Sequence, residues 1–139
     1  MTKFESGVKT VPASQESVYN ILSEPANIEK IRELLPPDKA AAMSFDNDSI
    51  TLDIPSAGKI KLKCAAFEPH KSIKFNSVDS PLPFTLWIQL LPVETTTCKM
   101  RVTIGLDTNP FMLGIVRKPL QEQLDKMADL LAAIPYNSI

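Results

Sequence analysis

The chain has 139 residues, of which 44% are hydrophobic and 22% charged, and its formal net charge at pH 7 is −1. This length and composition fit one globular domain that buries a core without disulfides or metals, and they exclude a disordered chain. The near-neutral charge exerts no general attraction on nucleic acid, so we expect no nucleic-acid partner.

The sequence also limits location and cofactors. It contains no run of about 18 apolar residues, so we expect no integral membrane association. Residues 1–6 lack the apolar stretch and cleavage site of a secretory signal, which predicts a cytoplasmic protein. Cys64 and Cys98 lie far apart among alternating apolar residues and are expected to be buried, reduced thiols. With His70 as the one histidine, we expect neither a metal nor another cofactor.

The N-terminal part predicts a strand and two short helices. Residues 3–11 alternate like a strand, and Ser14 is a suitable N-cap for a helix that ends at Pro25. A second helix is predicted over 26–34, before Pro36. One face of the strand carries Phe4, Ser6, Val8 and Thr10.

The middle of the chain predicts about six short strands separated by turn residues. The predicted ranges are 40–46, 49–54, 59–67, 73–76, 84–91 and 97–106. In the third of these strands, Ile60, Leu62, Cys64 and Ala66 are predicted to share one face. Such one-sided alternation is typical of antiparallel strands with one face on a core and one in water.

The C-terminal part predicts one long helix. Asn109 is a suitable N-cap and Pro110 a suitable first residue. Apolar residues then recur at helical spacing as far as Ile134, which gives a helix on the order of 35 Å long. Pro119 lies within this pattern and predicts a kink or irregular turn around 114–118.

The order of these elements is typical of an α+β protein. The apolar face of the sheet and the apolar stripe of the helix are expected to pack together. Because about six or seven twisted strands cannot close tightly along the whole helix, side chains either fill the space between them or leave a cavity.

Three segments carry a resemblance to a known superfamily: Phe4–Tyr19, Phe67–Phe75 and Asn109–Tyr136. The first two are similar to the opening strand and helix and to the central hairpin of START-like (SRPBCC) helix-grip proteins. The third resembles small bacterial members related to polyketide cyclases and lipid-transfer proteins. The resemblance implies that residues 1–139 form a single domain, in which a curved antiparallel sheet of about six or seven strands wraps the C-terminal helix.

The resemblance also suggests a function. Most such proteins bind lipids, sterols, quinones, polyketides or plant hormones, a minority catalyse cyclisation or dehydration, and some bind proteins. The pocket between sheet and helix is therefore the expected binding site. Its predicted lining is Phe75, Leu86, Ile88, Met100, Val102, Met112, Val116, Leu120 and Leu124. The alternative is that these side chains fill a solid core.

The face occupied by Trp87 and Gln89 decides between two interpretations. Because side chains alternate along a strand, Trp87 and Gln89 should lie on the other face of the sheet from Leu86 and Ile88. This would expose Trp87 for a protein contact. A bulge in the strand would instead turn both into the pocket, as an aromatic wall and a polar anchor. Because the resemblance makes irregular strands expected, we include Trp87 and Gln89 in the predicted ligand site.

No catalytic constellation is evident. His70 lies in a Pro-His-Lys turn and is expected to be solvated, and no nucleophile elbow or glycine-rich phosphate loop is present. The lysines of the middle strands predict a solvated basic face: Lys59, Lys61, Lys63 and Lys74.

The leading hypothesis is a non-enzymatic carrier or sensor of an apolar small molecule, which reaches the pocket near Gly114–Pro119. One alternative is a cyclase or dehydratase, which requires Gln89, Arg101 or Tyr19 to converge on the cavity. The other is a protein-interaction module that uses the Trp87 face or residues 135–139. The sequence leaves the oligomeric state open.

Overall fold

The computed structural model describes residues 2–24, 27–34, 37, 43–46, 49–54, 58–79, 83–107, 109–134 and 136. The elements within them are, in chain order, β1 (Thr2–Glu5), β2 (Lys9–Val11), α1 (Gln15–Leu22), α2 (Ile28–Leu34), β3 (Met43–Asp46), β4 (Ser49–Ile54), β5 (Gly58–Glu68), β6 (Ser72–Ser77), β7 (Phe84–Glu94), β8 (Thr97–Leu106) and α3 (Pro110–Ala133). The predicted helix stops at Pro25 and Pro36, and the tail beyond Tyr136, lie outside the described residues.

One antiparallel sheet contains all of these strands, in the order β1-β8-β7-β6-β5-β4-β3, and β2 also pairs with β8. The sheet curves around α3, and we call the face that meets the helices concave and the opposite face convex. If β1 and β2 count as two parts of one edge strand, the sheet has seven strands. The α+β class, the curved sheet around a long C-terminal helix and the short helices after the first strand are confirmed.

The predicted first strand is interrupted by a bulge. Glu5 pairs with Thr103 and Lys9 with Met100, so residues 6–8 stand opposite only residues 101–102. The extra residue reverses the alternation of the strand, as bulges do. Val8 is therefore exposed and Val11 fully buried, and the prediction of one shared face from Phe4 to Thr10 is wrong beyond the bulge.

Ser6 is the residue that holds this bulge in place. Its backbone N–H donates to the carbonyl of Val102 at 2.8 Å, and its Oγ accepts from the N–H of Val102 at 3.0 Å. Ser6 and Val102 are both buried. Because a buried N–H needs a partner, the serine hydroxyl supplies the acceptor where the strand pairing is interrupted.

A second irregularity lies in β5. Cys64 pairs with Phe75, but Ala66 pairs with Lys74, so Ala65 is an extra residue. The predicted common face of Ile60 to Ala66 therefore ends at Cys64. Beyond the bulge, Phe67 pairs with the buried Ile73 and lies on the concave face.

Helix α3 is continuous over 24 residues, a length of about 36 Å. Asn109 caps it as predicted, because its side-chain oxygen accepts from the N–H of Met112 at 2.8 Å. The predicted irregular turn at 114–118 is absent, although Pro119 lies inside the helix. Pro119 leaves only the carbonyl of Ile115 without its helical donor, and both residues are exposed, so water can reach that carbonyl.

The C-terminal half of α3 is tied to the edge of the sheet. Asp125 accepts from the N–H of Gly7 at 3.0 Å, and the Gln121 amide donates to the carbonyl of Glu5 at 2.7 Å. Asp129 forms an ion pair with Lys9 at 2.9 Å. These contacts all fall within or beside the bulge between β1 and β2, so the bulge is also the docking point of the helix.

We predict that Ser6→Ala lowers the free energy of unfolding by about 1–3 kcal/mol, because it leaves the buried N–H of Val102 without an acceptor. Urea denaturation monitored by circular dichroism measures this change. The matched control is Ser23→Ala, whose hydroxyl makes only an exposed 3.4 Å bond to Asn20 and whose loss should cost less than about 0.5 kcal/mol. Equal effects of the two changes would contradict the role of Ser6.

Tyr136, just beyond the end of α3, leads to the prediction that the fold loses stability at alkaline pH. Tyr136 is buried, its hydroxyl donates to the carbonyl of Leu131 at 2.6 Å, and burial raises its pKa. A phenol with a raised folded-state pKa stabilises the fold below its unfolded pKa of about 10, and this contribution is lost as the pH rises further. Tyr136→Phe should therefore make the fall of the unfolding free energy above pH 10 shallower. An unchanged slope would show that Tyr136 is not responsible.

Candidate functional site

The concave face of the sheet is built from nearly fully buried apolar side chains. Two rows run across its strands, Phe75–Leu86–Ile104 and Ile73–Ile88–Val102, and Met100 with Leu90 forms a third. Helix α1 and the C-terminal half of α3 cover them. The structure therefore brings together five of the predicted lining residues on one surface: Phe75, Leu86, Ile88, Met100 and Val102.

Burial changes along α3. Leu124 and Ala128, in its C-terminal half, are fully buried in the core. The predicted lining residues Leu120, Val116 and Met112 are only half-buried. On the outer side of the same half, Phe111 is 76% exposed and Ile115 56% exposed. The N-terminal half of the helix therefore leaves apolar surface that the sheet does not fully cover.

The sheet has a matching set of half-buried apolar residues. Ile50, Ile60, Cys64 and Phe84 pack against the edge of the same core as Leu113, Val116 and Leu120 of α3. We call these seven residues the apolar rim. Phe84 pairs with Leu106, the last residue of β8, only a few residues before α3 begins. Phe84 and the three rim residues of α3 therefore mark the candidate site, beside the N-terminal half of the helix.

Phe67 is a further concave residue that sequence reasoning did not find. It is half-exposed although its pairing partner Ile73 is fully buried. Simple alternation along β5 places Phe67 on the convex face, and only the bulge at Ala65 reverses this. The run Cys-Ala-Ala-Phe contains no glycine or other sequence signal for a bulge.

Trp87 and Gln89 do not belong to this site. The pairing of β7 with β8 is regular from Phe84 to Pro92, and its pairing with β6 is regular as well. The bulge that was expected to turn the two residues inward is absent from this part of β7. Their inclusion in the predicted ligand site is wrong, and the simple parity of the strand is correct.

Gln89 instead joins a polar network on the convex face. Its Oε1 accepts from the Nε of Arg101 at 2.8 Å and from the hydroxyl of Thr103 at 3.0 Å. Arg101 also pairs with Glu5 at 2.6 Å. Gln89 and Arg101 therefore meet as the enzyme hypothesis requires, but on the outside of the sheet, whereas Tyr19 packs inside, on α1.

Tyr19 contacts the chain's one histidine. The two rings are perpendicular with centroids 5.4 Å apart, and His70 is exposed in the turn after β5, with a φ of 64°. The solvated position predicted for His70 is confirmed. Among the described residues, no group of three or more His, Cys, Asp or Glu side chains could hold a metal ion. No helix in the described part of the chain is long and apolar enough to cross a membrane.

Solved structures with the same architecture are known. Norcoclaurine synthase from Thalictrum flavum, as a point mutant with a transition-state analogue, matches with a TM-score of 0.70 and 17% identity over 94% of this chain and 91% of that chain. A Thermobifida fusca protein solved by NMR matches with a TM-score of 0.68 and 11% identity, over 99% of this chain and 95% of that chain. The XoxI protein of Bacillus cereus matches with a TM-score of 0.59 and 11% identity, over 95% of this chain and 94% of that chain.

The chain has a helix-grip fold. The agreement in strand order, in the position of α3 and over nearly the whole length carries this assignment. No family model and no curated protein sequence matches the chain. At these identities the structural likeness concerns the fold alone, so the function has to be argued from the chain's own residues.

The position of Trp87 leads to a simple optical prediction. It is the one tryptophan of the chain, and the Nζ atoms of Lys3 and Lys74 lie 5.0 and 6.0 Å from its ring centroid. Because the lysines attract anions, the ratio of iodide to caesium quenching should be at least about twice the ratio for free tryptophan. Lys74→Gln should lower this ratio, whereas Lys118→Gln on α3 should not. A ratio equal to that of free tryptophan would contradict the proximity of the two lysines to the ring.

Proposed function

We propose that this helix-grip protein binds and carries a small apolar molecule between the concave face of the sheet and the N-terminal half of α3. The observation that carries the proposal is that the N-terminal half of α3 has no fully buried residue, although Met112, Val116 and Leu120 are apolar and only half-buried. The C-terminal half also has half-buried apolar members, but there Leu124 and Ala128 fix the helix in the core.

The chemistry of the rim indicates the class of ligand. Its seven members are apolar, and the neighbouring concave positions on β6 to β8 are apolar as well. Affinity would therefore come mainly from burial of apolar surface, at about 25 cal/mol per Å² before the costs of association. This favours a lipid-like, quinone-like or polyketide-like molecule.

The helix itself supports a route to this space. A Cβ atom added to Gly114 would meet no atom of another element within 4 Å in the described part of the chain, so the turn is open on that side. Phe111 and Ile115 on either side of it are exposed. We propose that the ligand passes beside this turn. The fold can hold small molecules, since norcoclaurine synthase is described in complex with dopamine and hydroxybenzaldehyde.

The first experiment is native mass spectrometry of freshly purified protein, followed by organic extraction. A stoichiometric added mass that disappears on extraction supports the carrier and gives the class of its ligand. A bare mass, unchanged after incubation with lipids, quinones and polyketide-like aromatics, contradicts it.

A pair of variants tests the position of the site. Val116→Trp fills the proposed space and should weaken binding of the neutral fluorophore N-phenyl-1-naphthylamine at least about tenfold. Lys126→Trp, at an exposed position in the C-terminal half of α3, should change the affinity less than about twofold. The wild-type fluorophore titration should saturate at one molecule per chain.

Thermal and urea unfolding of the same variants separate an open space from a filled one. If side chains filled it, Val116→Trp would cost about 1–3 kcal/mol of stability through overpacking. Unimpaired stability with lost fluorophore binding supports the proposal. Equal binding by both variants, or no binding by the wild type, overturns it.

A further inference from the structure

The convex face carries an excess of positive charge that the whole chain does not have. The basic residues at convex positions with described side chains are Lys3, Lys61, Lys63, Lys74, Lys99 and Arg101, and the acidic ones are Glu5, Glu68 and Glu94. The formal charge of the full chain is nevertheless −1. The convex face is therefore a positive surface on a nearly neutral protein.

Trp87 lies at the centre of this surface. Lys74 is its direct neighbour on β6, but Lys3 belongs to β1, two strands away on the other side. Since strands are about 4.8 Å apart, a ring close to both lysines has to lie over β8. Thr103 on β8 faces outward between Trp87 and Glu5 and donates to Gln89, and it is only 3% exposed.

The polar groups beside the ring are already fixed. Gln89 and Glu5 hold the guanidinium of Arg101, whose side chain is still 41% exposed. A side chain that is immobilised beforehand loses little entropy when a partner binds. Trp and Arg are also the residues that most often dominate binding energy at protein interfaces.

Two features extend this surface along β7. Leu91 has the same parity as Trp87, lies about 13 Å from it along the strand and is 61% exposed. In the other direction is a groove of about 380 Å³, lined by Asn76, Ser77, Pro83, Phe84, Thr85, Gly105 and Asp107. Asn76, Thr85 and Gly105 form the convex row next to Trp87. The surface thus offers an apolar contact at one end and a concavity at the other.

We propose that the convex face docks an extended, acidic segment of another protein. Carboxylates of the segment would meet Lys3, Lys74 and Arg101, and apolar side chains would pack on Trp87 and Leu91. The charge complementarity argues for an acidic partner. The ring of Trp87 lies between two lysine side chains instead of protruding, which favours a protein segment over a lipid bilayer. Trp87, Leu91 and the lysines lie on the opposite face of the sheet from the proposed ligand space, whereas Phe84, at the end of β7, borders both that space and the groove.

The test uses the intrinsic fluorescence of Trp87 in the full chain. The probe is a nine-residue peptide of Glu-Glu-Leu repeats, and its counterpart has Lys in place of Glu. The acidic peptide should change the fluorescence in a saturable way, with an affinity that falls as salt is raised, whereas the basic peptide should have no effect.

Charge-reversal variants locate the binding. The double variant Lys3→Glu, Lys74→Glu should lower the affinity for the acidic peptide at least about tenfold. The double variant Lys30→Glu, Lys118→Glu makes the same change in net charge on two helices and should lower that affinity less than about twofold. Because fluorescence depends on Trp87, the variants are also compared by anisotropy of a fluorescein-labelled peptide.

Two outcomes overturn the proposal. Equal weakening by both double variants would mean that the peptide responds only to net charge. Binding to vesicles of phosphatidylserine and phosphatidylcholine through Lys3 and Lys74, without binding of the peptide, would make the surface a membrane contact.

Discussion

The architecture depends on one local interaction, the double hydrogen bond between Ser6 and Val102 at the bulge of the edge strand. The bulge reverses the alternation, so that Val11 enters the core and Lys9 turns toward α3. It also presents the N–H of Gly7 to Asp125. Because Gln121, Asp125 and Asp129 lie in the middle and C-terminal part of α3, the same bulge fixes that part of the helix against the sheet. The N-terminal half contacts the edge strand through Arg117, which lies over the ring of Phe4.

The sheet thereby separates an apolar surface from a charged one, and only the thickness of the sheet lies between them. Its concave face is apolar and partly uncovered, and its convex face combines fixed polar groups with an aromatic ring and an excess of lysine. Along β7 the two alternate residue by residue, from Leu86 inward to Trp87 outward. A ligand inside and a protein partner outside would therefore contact neighbouring residues of the same strand.

The sequence predicts the long, strongly periodic elements well, and the bulges poorly. The cap at Asn109, the stripe of α3 and the alternation of β8 depend on local preferences that nothing in the fold opposes. The bulges at Ser6–Val8 and Ala65 depend on hydrogen bonds with partner strands, which no local pattern encodes. For the same reason, simple alternation along β7 correctly predicted that Trp87 lies on the convex face. The expectation of a bulge wrongly turned it toward the pocket. The extent of burial along α3 is a property of packing and could not be read from its stripe, since Leu120 and Leu124 look alike in sequence.

Pro119 lies near the middle of α3, on the N-terminal side of Leu124, the first fully buried residue of the helix. It carries no N–H, so one rung of the hydrogen-bond ladder that would link the two halves is missing. Opening of the N-terminal turns would therefore break one hydrogen bond fewer than opening of an uninterrupted helix. If these turns form one wall of the proposed ligand space, that wall could move to fit molecules of different lengths while Leu124 and Ala128 stay in the core.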